Sequence, residues 1–346
     1  MSLAYRALAL QTACHAVNAC NDAAHARARI AAGIERIGTQ IRASKAFLGA
    51  DLRLVVLPEY FATGFPQGET LPEWAAKAAF APDGPEYAQL GHIAQECGVF
   101  IAGNAYEADP AFAPLYFQTS FIVDDAGTVV LRYRRLISLY APSPVDVWDA
   151  YLDRYGLDGV FPVADTVLGR LACIASEEIL YPEIARALAL RGAEVFCHST
   201  SEVGSVELTP KDIGKRARAV ENLAFVVSAN SAGITDAGFP AASTDGMSKL
   251  VDDGGRVLAA AGFGESMAAN AELDLDGLRR RRLRPGMAHT LSRLPQAAIA
   301  AGLAPSPLAA NWLLEGGAVR TPQRAEFAAR QRATIQQLRE RGVLHG

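Results

Sequence analysis

The sequence predicts an α/β protein in which helices pack in layers against β-sheets. Short apolar runs typical of strands alternate along the chain with longer segments that carry apolar residues at helical spacing. The first run covers residues 5–11, and segment 21–47 then places four isoleucines at helical spacing, namely Ile30, Ile34, Ile37 and Ile41. Because helices that repeatedly follow strands must bury their apolar faces against a sheet, this pattern predicts a layered sandwich.

The later elements continue the same alternation. In chain order we expect a strand at 54–57, a helix at 85–97, strands at 99–102, 117–124, 128–133 and 171–175, a helix up to Gly192, a strand at 195–200, a helix at 211–222 and a strand at 225–230. Segments 125–127 and 252–255 contain Asp and Gly between strand-like runs, which predicts two hairpin turns. The Pro- and Asp-bearing segment 141–160 is predicted to be a long loop, and loops of this length are often functional.

Composition and charge limit the partners that this chain can have. It has 346 residues, half of them hydrophobic, so a large core is possible. The 33 basic and 37 acidic residues give a formal net charge of −4, and we therefore expect no nucleic-acid partner. The basic run Arg279–Arg282, followed by Arg284, is interpreted as a solvated loop or a subunit contact.

The sequence also predicts a cytoplasmic protein without a metal. No apolar stretch reaches about 18 uncharged residues, so we expect no membrane span. The N-terminus lacks the pattern of a secretory signal. The five cysteines are scattered and form no C-x-x-C pair, which is typical of reduced thiols. The six histidines show no metal-ligand spacing.

Polar residues end three of the predicted strands. Glu59 follows the strand at 54–57, Arg135 follows the strand at 128–133, and Ser176 ends the strand at 171–175 just before a helix. Chemistry in open α/β folds is usually found at such strand ends. The turn after Ser176 also leaves backbone N–H groups unpaired, and these can face a developing negative charge.

The segment around Ser176 resembles the nucleophile segment of the nitrilase (carbon–nitrogen hydrolase) superfamily. In that family the strand ends in Cys, an acidic residue follows within two positions, and an aromatic-Pro-Glu triplet completes the pattern. Glu178 and the triplet Tyr181-Pro182-Glu183 fit this pattern, and Ser176 stands at the Cys position. Cys173, three residues earlier on the same strand, is expected to point to the opposite face and to be a core thiol.

Two further segments extend the resemblance. Residues 52–66 are similar to the family segment that supplies a general-base Glu, here Glu59. Residues 127–140 are similar to the segment with the pattern Tyr-Arg-Lys, whose Lys stabilises the oxyanion, but Arg135 stands at the Lys position. None of the five lysines of the chain aligns there. With weaker similarities at 215–231 and 246–257, the resemblance covers roughly residues 5–265.

The resemblance implies a fold and an activity. The fold is a four-layer αββα sandwich that pairs into αββααββα dimers, so a homodimer or higher homo-oligomer is expected. The activity is hydrolysis of a non-peptide C–N bond in a small-molecule amide, N-carbamoyl compound or nitrile, without a cofactor. Glu59 would be the base, Arg135 the oxyanion or carboxylate binder, Ser176 the nucleophile, and the backbone N–H of Glu177 an oxyanion donor. Tyr60, Trp148 and His198 are candidates for substrate binding.

The two departures from the family pattern change the expected chemistry. A cysteine thiol has a pKa near about 8.5 and is partly ionised at neutral pH, whereas a serine hydroxyl needs a base in line. Arg135 keeps the positive charge of a lysine, but its planar fork suits a carboxylate or a similar oxyanion.

Three interpretations remain open from the sequence. The chain is a working hydrolase with an altered triad, or it carries an engineered Cys-to-Ser change, or it is a degenerate member that binds a ligand without turnover. An engineered change would explain Ser176 but not Arg135.

The domain organisation predicted from the sequence has two parts. Residues 1–285 form the nitrilase-like domain, and residues 286–346 form a C-terminal extension that serves as an oligomer arm or a cover.

Amidase branches of the family have a further Glu near the substrate in the region of 141–160. Asp146 and Asp149 are the nearest acids there, and neither is a clean match.

Overall fold

The computed structural model describes residues 3–303 and 307–344 of the chain. The outermost residues of both predicted parts, and 304–306 of the predicted extension, lie outside the described residues. The strands, in chain order, are β1 (Ala4–Ala9), β2 (Cys14–His15), β3 (Leu52–Glu59), β4 (Phe100–Ala108), β5 (Tyr116–Val123), β6 (Val129–Arg134), β7 (Ala164–Thr166), β8 (Gly169–Ala175), β9 (Val195–Ser199), β10 (Phe225–Ala229), β11 (Ile234–Thr235), β12 (Lys249–Val251), β13 (Val257–Ala260), β14 (Asn270–Asp274), β15 (Leu314–Glu315) and β16 (Ala318–Val319).

The α-helices lie between these strands and after them. They are α1 (Ala23–Leu48), α2 (Leu71–Ala78), α3 (Pro85–Cys97), α4 (Trp148–Val160), α5 (Pro182–Leu190), α6 (Pro210–Asn222), α7 (Leu275–Leu283), α8 (Gln296–Gly302) and α9 (Arg324–Glu340). A short 3-10 helix, Ser176–Leu180, directly follows β8. Across the described ranges, every helix is too short or too polar to cross a membrane.

Two six-stranded mixed sheets with the same kind of strand arrangement form the centre of the described structure. One has the strand order β14-β1-β3-β4-β5-β6, and the other has the order β13-β12-β10-β9-β8-β7. In each sheet three central strands are parallel, β1, β3 and β4 in the first and β8, β9 and β10 in the second, and the outer strands are antiparallel. Parallel strands place their carboxyl ends at one edge, where Glu59 and Ser176 lie.

The layers follow from strands that are apolar on both faces. On β3, Leu54 and Val56 belong to the core between the sheets, whereas Val55 and Leu57 pack in a second core with α1 and α3. The buried face of α1 consists of the isoleucines predicted from their spacing. On the far side of the second sheet, α5 buries Ile184 and Leu188 against that sheet, whose buried side chains on both faces belong to one cluster. The predicted four-layer αββα sandwich is therefore confirmed.

The prediction of a loop at 141–160 is wrong over most of its length. A 3-10 turn (Pro144–Val147) leads directly into α4. Tyr151 and Tyr155 lie one helical turn apart, and both rings contact the ring of Phe112. Gly156, at φ 60°, interrupts the helical geometry in the middle of this segment. Aromatic packing on one helix face outweighed the Pro and Asp residues that suggested a loop.

The C-terminal segment is docked on the sandwich through Asp146. The Asp146 side chain is 3% exposed and forms ion pairs or hydrogen bonds with Arg330 of α9 and with the indole N–H of Trp312. Its other oxygen accepts hydrogen bonds from the backbone N–H and the hydroxyl of Ser143, at 2.7 and 3.0 Å. Asp146 thus anchors the extension, and it does not line the pocket described below. The boundary at residue 285 stays a prediction.

Candidate active site

Glu59 lies at the end of β3 with both carboxylate oxygens engaged. Its Oε1 accepts hydrogen bonds from Gln118 Nε2 at 2.7 Å and from Arg135 Nη1 at 3.1 Å. Its Oε2 accepts one from Ser201 Oγ at 2.9 Å. Glu59 is only 2% exposed, so its charge is stabilised by these donors rather than by bulk water.

Arg135 lies just after β6 and links Glu59 to the segment that follows β8. Its Nη1 also donates to Gln118 Oε1 at 2.6 Å, its Nε donates to the Ile137 carbonyl at 2.5 Å, and its Nη2 pairs with the Glu177 carboxylate. These contacts use four of the five N–H donors of a guanidinium, which leaves one hydrogen on Nη2. Arg135 is therefore chiefly a positioning group for two carboxylates.

Ser176 occupies a strained position at the start of the 3-10 helix. Its φ is 46°, in the left-handed region that costs energy for a residue with a Cβ, and such strain is often found at active sites. Its carbonyl oxygen accepts a hydrogen bond from His198 Nε2 at 2.8 Å. Since a carbonyl only accepts, His198 Nε2 carries the proton and Nδ1 accepts from the Ser228 hydroxyl at 2.8 Å. Burial lowers the pKa of His198, so the neutral ring fixes the backbone of Ser176.

Glu178 joins the segment after Arg135 to the strand that ends before Ser176. Its Oε1 accepts from the backbone N–H groups of Leu136 and Ile137 at 2.7 and 3.1 Å. Its Oε2 accepts from the Tyr133 hydroxyl at 2.8 Å and from the N–H of Ala175 at 3.2 Å. Burial raises the pKa of Glu178 to about 7, and Arg135 and the hydrogen-bond donors act in the opposite direction. These contacts hold the loop after Arg135 against the strand that ends at Ser176.

Lys211 enters the site from the first turn of α6. It is not among the site residues predicted from the sequence. Its Nζ lies 3.0 Å from Ser176 Oγ and 3.1 Å from Thr200 Oγ1. Burial lowers the pKa of Lys211, while the charges of Glu59 and Glu202 partly oppose this shift. A signal was present in the sequence, because Lys211, Lys215 and Arg218 have the i, i+4, i+7 spacing that puts three cations on one face of a helix.

A single pocket of about 490 Å³ contains the reactive groups. Glu59, Arg135, Ser176 and Lys211 all line it. Its other walls are mostly apolar and aromatic, and Arg324 at the start of α9 also lines it. The apolar and aromatic lining side chains include Tyr60, Phe65, Tyr106, Leu139, Tyr140 and Leu180. This volume and lining are typical of a site for a small molecule.

The three candidates for substrate binding have different positions. Tyr60 lines the pocket, and its ring stacks on Tyr106 with centroids 5.6 Å apart. His198 is fully buried behind Ser176 and holds its backbone. Trp148 is not part of the pocket wall and packs with the core on the α1 side of the first sheet.

Cys173 is a buried core thiol, and burial raises its pKa well above the usual value. Within the described residues, no group of three or more His, Cys, Asp or Glu side chains is arranged to hold a metal ion.

Comparisons with known proteins show the family to which this chain belongs. A family model described as carbon–nitrogen hydrolase matches residues 4–283. The formamidase of Pseudomonas syringae pv. tomato is 29% identical over 256 residues, which cover 74% of this chain and 69% of the relative. The nitrilase of Pyrococcus abyssi is 28% identical over 231 residues, which cover 67% of this chain and 80% of the relative.

Solved structures show the same fold. The crystal structure of Nit3 from Saccharomyces cerevisiae, a member of branch 10 of the nitrilase superfamily, superposes with a TM-score of 0.63. The two chains are 20% identical, and the match covers 81% of this chain and 93% of Nit3. Because the family model matches residues 4–283, the chain belongs to the carbon–nitrogen hydrolase family, as the resemblance of the strand-end motifs indicated.

Proposed function

We propose that this protein is a hydrolase that cleaves the C–N bond of a small, non-peptide amide, N-carbamoyl compound or nitrile, with Ser176 as its nucleophile. Membership in the carbon–nitrogen hydrolase family supports the class of reaction. Relatives named formamidase and nitrilase support a small substrate. The pocket of about 490 Å³ has room for such a molecule and too little for a folded protein segment.

The observation that carries this proposal is the position of Ser176. Its side chain lines the pocket at the end of a buried strand, in a strained backbone conformation and in direct contact with Lys211. A hydroxyl held in this way can attack a carbonyl carbon and form a covalent acyl-enzyme, which water then hydrolyses. Glu59 is assigned the acid–base work on that water, because it is the buried carboxylate of the same pocket.

The oxyanion of the tetrahedral intermediate needs donors in the same pocket. We assign this role to the backbone N–H of Glu177, at the start of the 3-10 helix, and to the remaining Nη2 hydrogen of Arg135. The first N–H groups of a helix have no partner within it. Removal of one such donor typically lowers kcat by about 10²–10³-fold.

The test is a substrate panel measured on matched variants. The parent protein, Ser176→Ala, Ser176→Cys and Arg135→Lys are incubated with short amides, N-carbamoyl compounds and nitriles, and ammonia or product release is followed. We expect turnover by the parent and its loss in Ser176→Ala. Ligand-dependent stabilisation without turnover by the parent would contradict the proposal and support a binding protein. Recovery of turnover only in Ser176→Cys would indicate a lost or replaced nucleophile.

We also propose that the protein forms homodimers or larger homo-oligomers. Exposed apolar side chains on the outer helix layer support this, including Leu190 on α5, and Ile213 and Val220 on α6, which are 43%, 57% and 42% exposed. Size-exclusion chromatography with light scattering tests the proposal. A monomer at micromolar concentration would contradict it.

A further inference from the structure

We propose that Lys211 is the general base that takes the proton of Ser176, so that the two side chains act as a serine–lysine dyad. This inference rests on the proposed function, because it needs Ser176 to be a nucleophile. It adds a catalytic residue from α6, which none of the strand-end motifs contains.

The first argument is the set of contacts around the amine. Lys211 Nζ lies within hydrogen-bond distance of two hydroxyls, those of Ser176 and Thr200. Among residues 3–303 and 307–344, no carboxylate oxygen lies within 4 Å of it. Two other lysines on this side of the structure differ, because Lys215 pairs with Glu202 and Lys249 pairs with Asp212 at 2.7 Å. A partly buried ammonium with only hydroxyl partners is poorly stabilised, which favours the neutral amine that a base requires.

The second argument is the electrostatic field at the start of α6. Lys211 is the second residue of this helix, whose N-terminal end carries the positive pole of the helix dipole. The charged groups that face it come from several elements. Lys215 of α6 and Arg135 after β6 favour loss of its proton, whereas Glu59 of β3 and Glu202 after β9 oppose this loss. Burial is the largest influence, and the net direction is a lowered pKa.

The third argument is the state of Glu59, which the family resemblance assigns as the base. Each of its oxygens already accepts a hydrogen bond, from Gln118 and Arg135 on one and from Ser201 on the other. In the described structure Glu59 forms no hydrogen bond with Ser176. A base must lie within hydrogen-bond reach of the proton that it abstracts. Lys211 meets this condition at 3.0 Å.

The steps balance without a further reactant. The neutral amine of Lys211 takes the Ser176 proton as Oγ bonds to the amide carbon, and the resulting ammonium then protonates the leaving nitrogen. The C–N bond breaks and leaves an ester on Ser176. A water molecule attacks this ester after losing a proton to a base of the pocket, and the proton returns to Ser176 Oγ as the acid leaves. The net reaction is amide plus water to carboxylic acid plus amine.

A fluorophosphonate probe tests the dyad without a known substrate. Such a probe phosphonylates an activated serine with loss of fluoride, and mass spectrometry locates the adduct. We expect labelling of Ser176 in the parent, with a rate that rises with pH and has its midpoint below 10.5, the ordinary pKa of a lysine. In Lys211→Met the rate should fall by about 10²-fold or more, which is the usual contribution of a general base.

Two control variants separate a base from a structural role. Lys211→Arg keeps a charged donor beside Ser176 but cannot give up its proton, so it should be as slow as Lys211→Met. It also covers the case in which Lys211→Met fails to fold. Lys77→Met removes a lysine that lies outside this pocket and should be labelled like the parent. Thermal unfolding of each variant shows that it is folded.

The outcomes distinguish this inference from the proposed function. Equal labelling of Ser176 in the parent and Lys211→Met, or full labelling in Lys211→Arg, would overturn the dyad and leave Ser176 as the nucleophile. A parent that is neither labelled nor active on the substrate panel would overturn both. If the parent hydrolyses a panel compound without being labelled, the pH–rate profiles of the same variants on that compound decide, and a profile unchanged by Lys211→Met contradicts the dyad.

Discussion

Replacement of Arg135 by methionine should destabilise the protein strongly, because it removes the centre of a buried ion-pair network. The side chains of Arg135 and Glu59 are 7% and 2% exposed, so solvent screens their attraction only weakly. Methionine fills much of the same space but leaves Glu59 buried with only Gln118 and Ser201 as donors. Removal of one partner of a buried pair costs about 3–5 kcal/mol.

The matched variant Arg135→Lys keeps the positive charge but lacks the planar guanidinium group. An ammonium cannot reach Ile137, Glu59, Gln118 and Glu177 together as the guanidinium does. At about 1 kcal/mol for each hydrogen bond lost, we expect a cost of about 1–3 kcal/mol. For a chain of this size, about 2 °C of Tm corresponds to 1 kcal/mol. Arg135→Met should therefore lower Tm by about 6–10 °C, and Arg135→Lys by about 2–6 °C.

A double-mutant cycle with Glu59→Gln isolates the pair itself. The free energies of unfolding of the parent, both single variants and the double variant are measured in urea. We expect a coupling energy of about 1–3 kcal/mol, because the neutral amide that replaces the Glu59 carboxylate no longer needs the cation. A coupling near zero, or an Arg135→Met protein as stable as the parent, would refute the network as the structure presents it.

Two further predictions concern parts of the molecule outside this network. Asp146→Asn should weaken the docking of the C-terminal segment, because a neutral amide cannot form an ion pair with Arg330. Limited trypsinolysis should then remove this segment about tenfold faster. An unchanged cleavage rate would contradict the anchoring role of Asp146. Gly91→Ala should destabilise the protein by about 1–3 kcal/mol because a Cβ there would lie 2.6 Å from the backbone oxygen of Gly127. Its control, Gly33→Ala in α1, meets no atom within 4 Å and should stabilise by up to about 1 kcal/mol. Equal Tm values for the two glycine variants would contradict this difference.

Much of the fold was predictable because its signals are local. The isoleucines of α1 and the apolar runs of β3 and β8 have the periods that helices and buried strands require. The candidate site was predicted from residues at the strand ends, and Glu59, Arg135 and Ser176 line one pocket although they are far apart in sequence. Glu59 and Ser176 end parallel strands of the two sheets, and β6, which precedes Arg135, runs in the same direction as β4 because two antiparallel pairings separate them. The three motifs therefore converge at the carboxyl ends of these strands.

The rest of the site depends on tertiary packing that no single segment reveals. Lys211 lies on α6, whereas the family resemblance expects a lysine only directly after Tyr133-Arg134, where Arg135 stands. The cationic face of α6 was visible in the sequence, but only the packing of that helix against the 3-10 helix Ser176–Leu180 brings Lys211 to Ser176. Trp148, a candidate for substrate binding, does not line the pocket for the same reason. Its segment was predicted as a loop near the substrate, and it folds into α4, against the core on the α1 side.

Identification of the covalently modified residue during turnover tests the central claim most directly. The parent protein is mixed with an amide of the substrate panel that it hydrolyses, or with a slowly hydrolysed ester of the same acid. The reaction is quenched in acid, and peptides of the protein are analysed by mass spectrometry. We predict an acyl group on Ser176 that is absent from Ser176→Ala, together with loss of turnover in that variant. An acyl group on another residue, or undiminished turnover by Ser176→Ala, would contradict the assignment of Ser176 as the nucleophile.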